Sequence, residues 1–554
     1  MRPSNQLKHW AFLSLNVSRL KRLSFDRKRR RLTLANACDT VYGSPLPHFL
    51  VDYRSKESKT RLCRALQTGY AVPYLSLSSC FGTQNESGYC GVSTLVNILN
   101  ALRIDPQRKW SPLSDWRWYT VELLDCCRSL KDVKKSGINL DEFVCLANCN
   151  GAVSRLVRPN YSKEHYDKFI HTLEQVCTGG KESNEELFDE EHPEELMAIS
   201  FSRESLRQVG EGHFSPIAAM EKESNSVLVL DTARYKYPPY WAPIKMLFQS
   251  MLPLDSKTGK SRGKVRHGVS LNLLLNGART DFQYRLALLT VSRNLRTMTS
   301  LSGTVYGSPL PHILVDYRST ESKTRLCRAL QTGYAVPYLS LSSCYNSQTV
   351  PSHCGVSTLA IILNALRIDP QRKWNALSTW RWYTAELLNC CGALEVVRED
   401  GRTTLDEFAY LANCNGAETR LVRPNYSKEH QEEFLHALER VCTGDKKSKK
   451  ELVDEEHPEE LMAVSFSRKA LGQVGEGHFS PIAAMDNESN SVLIFDTARY
   501  KYPPYWAPIE SLFQSMLPLD SDTGKSRGYV VLKAKQEWKF TAPASIMEKN
   551  GCDS

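Results

Sequence analysis

Cys90 is the first residue whose type and position suggest chemistry. It is followed at once by Gly91 and the apolar run VSTLVNILNAL, in which residues from Val92 to Leu99 recur at the spacing of one helix face. Cys90 is therefore predicted to lie at the first turn of an amphipathic helix. The partial positive charge of a helix N-terminus lowers a thiol pKa, and the thiolate is the nucleophilic form. A small buried cysteine that only packs is the alternative.

A histidine and an aspartate further along could complete a catalytic group. The short apolar segments HFSPIAAM and VLVLD flank the polar EKESNS, which predicts two strands joined by a turn. An antiparallel hairpin that reverses at Lys222 would place His213 opposite Asp231. A carboxylate in that position orients an imidazole and stabilises its charged form. We therefore expect an active pair of thiolate and imidazolium, and a purely structural His–Asp pair is the alternative.

Two more side chains lie close to these residues in the sequence. Gln84 precedes Cys90 by six positions, and a side-chain amide there can donate a hydrogen bond to a developing oxyanion, as in papain-like sites. A glutamine in a polar loop is the alternative. Arg234 follows Asp231 by three positions and is predicted either to hold a substrate carboxylate or to brace Asp231.

Four clustered thiols suggest a second kind of site. Cys126 and Cys127 are adjacent, and Cys145 and Cys149 are four apart, as on one helix face. Thiolates bind soft, thiophilic metals, but no CxxC pair or histidine partner gives the signature of structural zinc. These cysteines are therefore candidate metal ligands, and ordinary buried cysteines are the alternative.

The chain is a tandem duplication of one domain. Residues 41–80 recur at 305–344 with two changes, and the similarity continues as far as RGKV in copy one and RGYV in copy two. A repeat of this length gives each copy its own core. The predicted organisation is a basic leader at 1–40, copy one at 41–262, a linker at 263–304, copy two at 305–540 and a tail at 541–554.

Copy two repeats all but one of the candidate residues. The counterparts are Cys354, His478 and Asp496 for the catalytic group, Gln348 for the amide, Arg499 for the arginine, and Cys390, Cys391 and Cys414 for the clustered thiols. Tyr410 stands at the counterpart of Cys145, so a metal site common to both copies cannot depend on that position.

Composition and element order limit the class of protein. The 554 residues are 41% hydrophobic and 24% charged, which excludes wholesale disorder and fibrous repeats. No apolar stretch is long enough for a membrane-spanning helix. The net charge of +10 is concentrated in the leader and the linker, so the folded bulk does not indicate nucleic-acid binding. Within each copy helices come early and strands late, which predicts an α+β domain.

Cysteine usage and the N-terminal segment bear on the compartment. Seventeen cysteines are too few for a disulfide-stapled scaffold of this length, and no secretory signal is recognisable. A cytoplasmic protein with reduced, free thiols is therefore predicted. The leader, with Arg27 and three arginines at 29–31, resembles a mitochondrial presequence. A disordered basic leader is the alternative.

Five segments, in the same order in both copies, resemble the phytochelatin synthase family, the glutathione gamma-glutamylcysteinyltransferases. They are QNESGYCGVSTLVNILNALRIDPQRKW, WRWYTVELLDCC, VCLANCNGA, GEGHFSPIAAM and LDTARYKYPPYWAPI. The resemblance runs through 42–263 and 306–533. It implies a papain-like cysteine peptidase fold. Matched by motif, it implies catalytic triads of Cys90, His213 and Asp231 and of Cys354, His478 and Asp496, with Gln84 and Gln348 as oxyanion glutamines.

The resemblance also implies a reaction in two steps. A cysteine thiolate attacks the Cys–Gly amide of glutathione and glycine leaves; the resulting gamma-glutamylcysteinyl thioester then acylates the amine of a second glutathione. Repetition gives (gamma-Glu-Cys)n-Gly peptides that chelate heavy metals. Cadmium or zinc is expected as the activator, carried as its glutathione thiolate complex, with no organic cofactor and no nucleic-acid or membrane partner. Hydrolysis in place of transfer, and a cysteine-rich metal-binding protein without turnover, are the alternatives.

The sequence departs from the family pattern in two respects. A Cys-rich C-terminal extension is nearly absent, since only Cys552 follows copy two, and this favours activation through the metal–thiolate substrate. Tandem copies are also unusual for the family. A true fusion and two joined neighbouring genes are both compatible with the sequence.

The ends of the two copies predict a difference between them. Copy two ends with RGYVVLK, which has the composition of a buried final strand, whereas copy one has RGKVRHG, with Lys264, Arg266 and His267. Burying unpaired charge costs several kcal/mol. Copy one is therefore expected to leave this sheet edge open or to recruit SLNLLLN at 270–276. On that ground Cys354→Ser is expected to cost more activity than Cys90→Ser.

Overall fold

The computed structural model describes seven stretches of the chain, and both copies belong to one compact unit. The described residues are 43–110, 115–180, 193–269, 307–374, 380–388, 403–444 and 457–539. The predicted leader and tail, most of the predicted linker, and the candidate metal ligands Cys390 and Cys391 lie outside them.

Copy one opens with helices whose ends follow from their sequences. Helix α1 (Lys56–Gln67) begins after Ser55, whose side chain accepts a hydrogen bond from the N–H of Ser58. Helix α2 (Val72–Cys80) carries a proline in its first turn, and α3 begins at the candidate nucleophile. The remaining helix bounds are α3 (Cys90–Ala101), α4 (Leu130–Ser136), α5 (Leu140–Cys149), α6 (Lys163–Thr178) and α7 (Ile244–Ser250).

The second half of copy one supplies most of a seven-stranded antiparallel sheet. Its order is β1-β6-β5-β4-β3-β7-β2, and the central strands β3 and β4 are buried along almost their whole length. The strand bounds are β1 (Val51–Asp52), β2 (Ala152–Val157), β3 (Glu195–Ser202), β4 (Gly212–Glu221), β5 (Ser226–Val229), β6 (Tyr240–Pro243) and β7 (Gly263–Val269).

Copy two repeats this architecture strand for strand. Its sheet has the order β8-β13-β12-β11-β10-β14-β9, which is the same topology in the second set of strands. The helices are α8 (Thr320–Thr332), α9 (Val336–Cys344), α10 (Cys354–Ala365), α11 (Leu405–Cys414), α12 (Lys428–Thr443) and α13 (Ile509–Met516). The strands are β8 (Val315–Asp316), β9 (Ala417–Val422), β10 (Glu460–Ser467), β11 (Gly477–Asp486), β12 (Ser491–Ile494), β13 (Tyr505–Pro508) and β14 (Gly528–Ala534).

The α+β class and the duplication are confirmed, while the register of the predicted hairpin is wrong. Strands β4 and β5 do form a hairpin, but Glu221 pairs with Ser226, so the turn lies later than Lys222. A bulge between Ile217 and Ala219 shifts the register again, and β5 ends at Val229. Asp231 therefore lies beyond the strand rather than directly opposite His213.

The prediction that copy one lacks a final strand of its own is also wrong. Residues 263–269 form β7, between β3 and β2, so the linker begins after Val269 rather than at 263. The charged side chains are accommodated: Lys264 places its ammonium 5.1 Å from the ring centre of Phe169, and Arg266 lies 3.2 Å from Glu195. The expectation that Cys354→Ser is the more damaging substitution therefore loses its structural basis.

A single apolar cluster runs through both copies. It includes buried residues of α2 and α3 together with residues of α9 and α10, whereas two smaller clusters each belong to one copy. Four buried tyrosines lie where the copies meet: the Tyr74 hydroxyl is 2.7 Å from that of Tyr338, and Tyr53 and Tyr317 bond to serines of the opposite copy. No helix within the described ranges is long and apolar enough to cross a membrane.

Candidate active site

Cys90 occupies the first position of α3, as predicted. Its thiol accepts a hydrogen bond from the backbone N–H of Phe214, the neighbour of His213 in β4. Gly91 is required because the loop between α4 and α5 approaches it closely: a Cβ at Gly91 would lie 2.5 Å from the side chain of Ile138. In copy two a Cβ at Gly355 would meet Thr403 at 2.7 Å.

His213 and Asp231 are brought together despite the error in the predicted register. The imidazole Nε2 lies 2.8 Å from Asp231 Oδ1, and both side chains are almost fully buried. Since Nε2 faces the carboxylate, Nδ1 is the ring nitrogen left to exchange a proton with another group. The backbone N–H of Ala233 donates to Asp231 Oδ1 at 2.9 Å and fixes the carboxylate from the other side.

Arg203 is a member of this group that the sequence reasoning missed. It follows the last residue of β3, is buried, and places Nη2 2.9 Å from Asp231. Its other terminal nitrogen donates to Gln208 at 2.8 Å, and its guanidinium lies 5.3 Å from the ring centre of Tyr237. The available signal was an arginine closing the apolar segment LMAISFS in copy one and LMAVSFS in copy two.

Burial and Arg203 set the protonation states of the pair. Burial lowers the pKa of His213 to about 4; the positive charge of Arg203 adds to this, and Asp231 opposes it. Burial also raises the pKa of the Cys90 thiol, although the N–H of Phe214 and the charge of Arg203 act in the opposite direction. Both shifts favour the neutral thiol and the neutral imidazole, whereas the expected thiolate–imidazolium pair stays a prediction.

Asp231 keeps its negative charge in this buried setting. Burial alone would raise its pKa, but Arg203 and His213 outweigh that effect and hold the pKa well below its ordinary value. The site thus contains a fixed anion next to an uncharged imidazole. An anion so placed stabilises the imidazolium that forms when the ring accepts a proton.

Gln84 lies in the wall of the same cavity and is buried. Its amide nitrogen donates to the carbonyls of Glu86 at 2.9 Å and Ser87 at 3.2 Å, in the turn that leads into Cys90. Its amide oxygen accepts a hydrogen bond from Thr232, next to Asp231. Gln84 thus joins the turn before Cys90 to the segment that carries Asp231, and its oxyanion role stays a prediction.

Copy two reproduces this geometry. His478 Nε2 lies 2.8 Å from Asp496 Oδ1, and Arg468 Nη2 lies 2.8 Å from the same oxygen. Burial raises the pKa of Cys354 and lowers the pKa of His478 to about 4. The amide of Gln348 donates to carbonyls at the corresponding turn, at 3.0 and 2.7 Å.

Arg234 and Arg499 do not brace the aspartates, because Arg203 and Arg468 occupy that position. Arg234 is buried and donates through Nη1 to the carbonyls of Ser343 and Tyr345 in copy two, at 3.0 and 2.7 Å. Arg499 makes the reciprocal contacts in copy one. Both guanidiniums therefore join the copies, and their predicted contact with a substrate carboxylate stays a prediction.

The four clustered thiols of copy one come together at the surface. They form two disulfides, Cys126–Cys149 and Cys127–Cys145, which corrects the prediction that these thiols are free. Three of the four cysteines are exposed and Cys127 is partly exposed, so they are not ordinary buried cysteines. The sulfurs of Cys126, Cys127 and Cys149 lie within 4.8 Å of one another. Cys414, their relative in copy two, is partly buried.

Each catalytic group opens into its own cavity. The copy-one cavity, of about 290 Å³, is lined by Cys90, His213 and Gln84 together with Tyr235 and Lys236. The copy-two cavity, of about 380 Å³, is lined by the corresponding residues Cys354, His478, Gln348, Tyr500 and Lys501. A nucleophile, a proton acceptor held by an anion, and a side-chain amide thus line one space in both copies, which is the arrangement needed for acyl transfer through cysteine.

Both copies are similar in sequence to known proteins. The Phytochelatin synthase family matches the chain twice, over residues 41–264 and 305–529. A glutathione gamma-glutamylcysteinyltransferase of Schizosaccharomyces pombe is 41% identical over 41% of this chain and 50% of its own length. Glutathione gamma-glutamylcysteinyltransferase 1 of Arabidopsis thaliana is 39% identical over 41% of this chain and 44% of its own. The chain spans about half the length of these relatives. Because the family matches most of the sequence, the chain belongs to the phytochelatin synthase family and contains its domain twice.

Proposed function

We propose that the protein is a glutathione gamma-glutamylcysteinyltransferase, which makes phytochelatins through a cysteine thioester. The observation that carries the proposal is a cavity in each copy that is lined by both a cysteine and a histidine. The cysteine lies at a helix N-terminus, and the histidine lies 2.8 Å from a buried aspartate. Family membership and the names of the relatives support glutathione as the substrate.

The first step releases glycine. As the sulfur of Cys90 attacks the carbonyl carbon of the Cys–Gly amide, its proton passes to Nδ1 of His213, the ring nitrogen that does not face Asp231. The imidazolium then gives this proton to the glycine nitrogen, the C–N bond breaks, and a gamma-glutamylcysteinyl thioester remains. Asp231 stabilises the transient imidazolium, and Arg203 keeps Asp231 ionised.

The second step uses the same groups in reverse. The amine of an acceptor glutathione attacks the thioester carbonyl and loses a proton to His213. The C–S bond breaks and the sulfur of Cys90 takes the proton back, so the resting neutral pair is restored. In this scheme cadmium or zinc is part of the substrate, bound between glutathione thiolates. The metal leaves the enzyme bound to the chelating product, and the reaction thereby detoxifies it.

Mass spectrometry of the products tests the proposal. The full chain is incubated with glutathione and cadmium, beside the double variant Cys90→Ser/Cys354→Ser. We expect a series of (gamma-Glu-Cys)n-Gly peptides and free glycine from the wild type, and neither from the variant. Glycine with gamma-Glu-Cys but without the longer peptides would show hydrolysis instead of transfer. Metal uptake without glycine release in either protein would show a metal-binding protein.

A further inference from the structure

Each catalytic cavity has one wall that belongs to the other copy. The copy-one cavity, which contains Cys90, is lined in part by Trp374 and Trp380 of copy two. The copy-two cavity, which contains Cys354, is lined in part by Trp116 of copy one. The two sites are therefore built by exchange of aromatic side chains between copies.

The exchanged tryptophans pack on the segment that carries the catalytic aspartate. Trp374 stacks on Tyr235, with ring centres 4.8 Å apart, and Trp380 lies 6.2 Å from the same ring. The ammonium of Lys236 lies 5.2 Å from the ring centre of Trp380. Tyr235 and Lys236 follow Asp231 by four and five positions and also line the cavity.

The reverse exchange has the same geometry. The ring centre of Trp110 lies 4.9 Å from that of Tyr500, and the ring centre of Trp116 lies 6.4 Å from it. Lys501 places its ammonium 5.2 Å from the ring centre of Trp116. Arg234 and Arg499 directly precede Tyr235 and Tyr500 in the sequence. Each donates a hydrogen bond to a backbone carbonyl of the opposite copy, which fixes the two tyrosines relative to the tryptophans. Its presence on both sides indicates a feature of the site rather than a chance contact.

The chemistry of this wall suits a small anionic peptide. Lys236 and Lys501 are cations beside aromatic faces, and the carboxylates of Glu211 and Glu476 line the same cavities, so each wall offers partners for both the carboxylates and the amine of such a peptide. The indole N–H of Trp374 is buried and makes no hydrogen bond to the described residues. The nucleophile, the histidine and the glutamine come from one copy, and this wall comes from the other.

We propose that Trp374 and Trp380 contact the gamma-glutamyl peptide bound at Cys90, and that Trp116, packed beside Trp110 on Tyr500, contacts the peptide bound at Cys354. Each copy is then an incomplete enzyme whose substrate affinity depends on its neighbour in the chain. This inference rests on the proposed function for the identity of the peptide, but the origin of the wall does not depend on transfer.

A crossed set of variants tests the proposal. In the full chain with Cys354→Ser, only Cys90 can act, and Trp374→Ala/Trp380→Ala is expected to raise the KM for glutathione about tenfold or more with a smaller change in kcat. Trp110→Ala/Trp116→Ala, which alters the wall of the disabled site, is expected to change that KM by less than about twofold. In the Cys90→Ser background the two pairs should exchange effects.

A conservative variant and a binding measurement keep the test independent of folding and of the reaction. Trp374→Phe/Trp380→Phe should retain most of the affinity, because an aromatic face remains. S-methylglutathione, whose blocked sulfur does not consume the reagent as a free thiol would, should slow the alkylation of Cys90 by iodoacetamide, and the alanine pair in copy two should abolish this protection. Equal effects of both alanine pairs, or no effect of either, would overturn the proposal. Intact crossed protection without glycine release would uphold the shared wall and refute the transferase.

Discussion

At the scale of single residues, burial and Arg203 together set the pKa values of Cys90, His213 and Asp231. Arg203 is buried beside Asp231, and its charge both holds the carboxylate ionised and adds to the effect of burial in lowering the pKa of His213. The histidine is thus kept uncharged until it accepts a proton. Burial has the larger effect on the pKa values of both Cys90 and His213, and Arg203 adds to it at the histidine while opposing it at the thiol.

The pH dependence of alkylation measures this directly. Because the pKa of Cys90 is raised and that of His213 is lowered to about 4, the thiolate should form only on the alkaline side. In the Cys354→Ser chain we expect the alkylation rate of Cys90 by iodoacetamide to stay low from pH 5 to 8 and to rise above about pH 9. Glycine release should keep a broad plateau over the neutral range, since a single proton is shared by the pair.

The opposite behaviour has an equally clear signature. A preformed thiolate–imidazolium pair would give fast alkylation already near pH 5, with the rate levelling off through neutrality.

Arg203→Met serves as the matched variant, because it removes the charge that lowers the histidine pKa while keeping a long apolar side chain. We expect its acid limb of glycine release to move to higher pH than in the parent chain.

At the scale of elements, β7 and β14 show how one strand position can hold either charged or apolar residues. Lys264 and Tyr529 occupy the same place, next to Ile199 and Val464 of the adjoining strands. Tyr529 packs with its ring centre 5.3 Å from that of Phe434, whereas Lys264 directs its ammonium at the equivalent Phe169. Burial lowers the pKa of Lys264 to about 7, so copy one bears a desolvation cost that copy two avoids.

Replacing this lysine should stabilise the protein. Lys264→Tyr removes the buried ammonium and introduces the side chain that copy two already holds against the same partner. We expect a gain of about 1 kcal/mol, which corresponds to roughly 2–4 °C in Tm for a domain of this size, measured by thermal unfolding. Lys533→Tyr, at the exposed end of β14, is the control and should give no gain.

The gain should depend on pH in a defined direction. The folded-state pKa of Lys264 is lowered from the ordinary value of 10.5, so the unfolded chain binds more protons between about pH 7 and 10.5. The wild type therefore becomes more stable relative to Lys264→Tyr as pH rises through that range. The difference in Tm should be largest at or below pH 7 and should shrink toward pH 10. A gain that stays constant with pH would contradict the assignment.

At the scale of the whole molecule, the two copies are coupled through one apolar cluster and a set of reciprocal polar contacts. The buried tyrosine hydroxyls and the crossing arginines would lose their partners if one copy unfolded alone. Unfolding of one copy would also expose to water the apolar surface that it buries against the other, at about 25 cal/mol per Å². Unfolding of one copy is therefore expected to destabilise the other.

Met251→Ala tests this coupling from one side. Met251 is buried in the apolar cluster that belongs to copy one alone, and its truncation should cost about 2–5 kcal/mol. The readout is alkylation of Cys177 in α6 and Cys442 in α12, both buried, in moderate denaturant. We expect both cysteines to react faster in the variant. Faster reaction of Cys177 alone would mean that the copies unfold independently, and Met516→Ala provides the reciprocal control.

The sequence by itself determined the duplication and the α+β class, and it selected the residues of the candidate catalytic group, whose role stays a prediction. A helix pattern beginning at Cys90 and two short apolar runs around a polar turn are local signals, and local signals are read from residue order. They predicted that His213 and Asp231 would meet, although the exact register was set by a bulge between Ile217 and Ala219 that no pattern announces.

Only the tertiary structure decided which groups surround those residues. Arg203 is 28 positions from Asp231, and Trp374 is more than a hundred from Tyr235, so their contacts depend on how strands and copies pack. The same holds for β7, where charge in the sequence suggested an open edge and the packing of Phe169 and Glu195 provided partners. Spacing along a chain predicts what lies within one element or one hairpin; contacts between distant segments follow from the shape of the folded core.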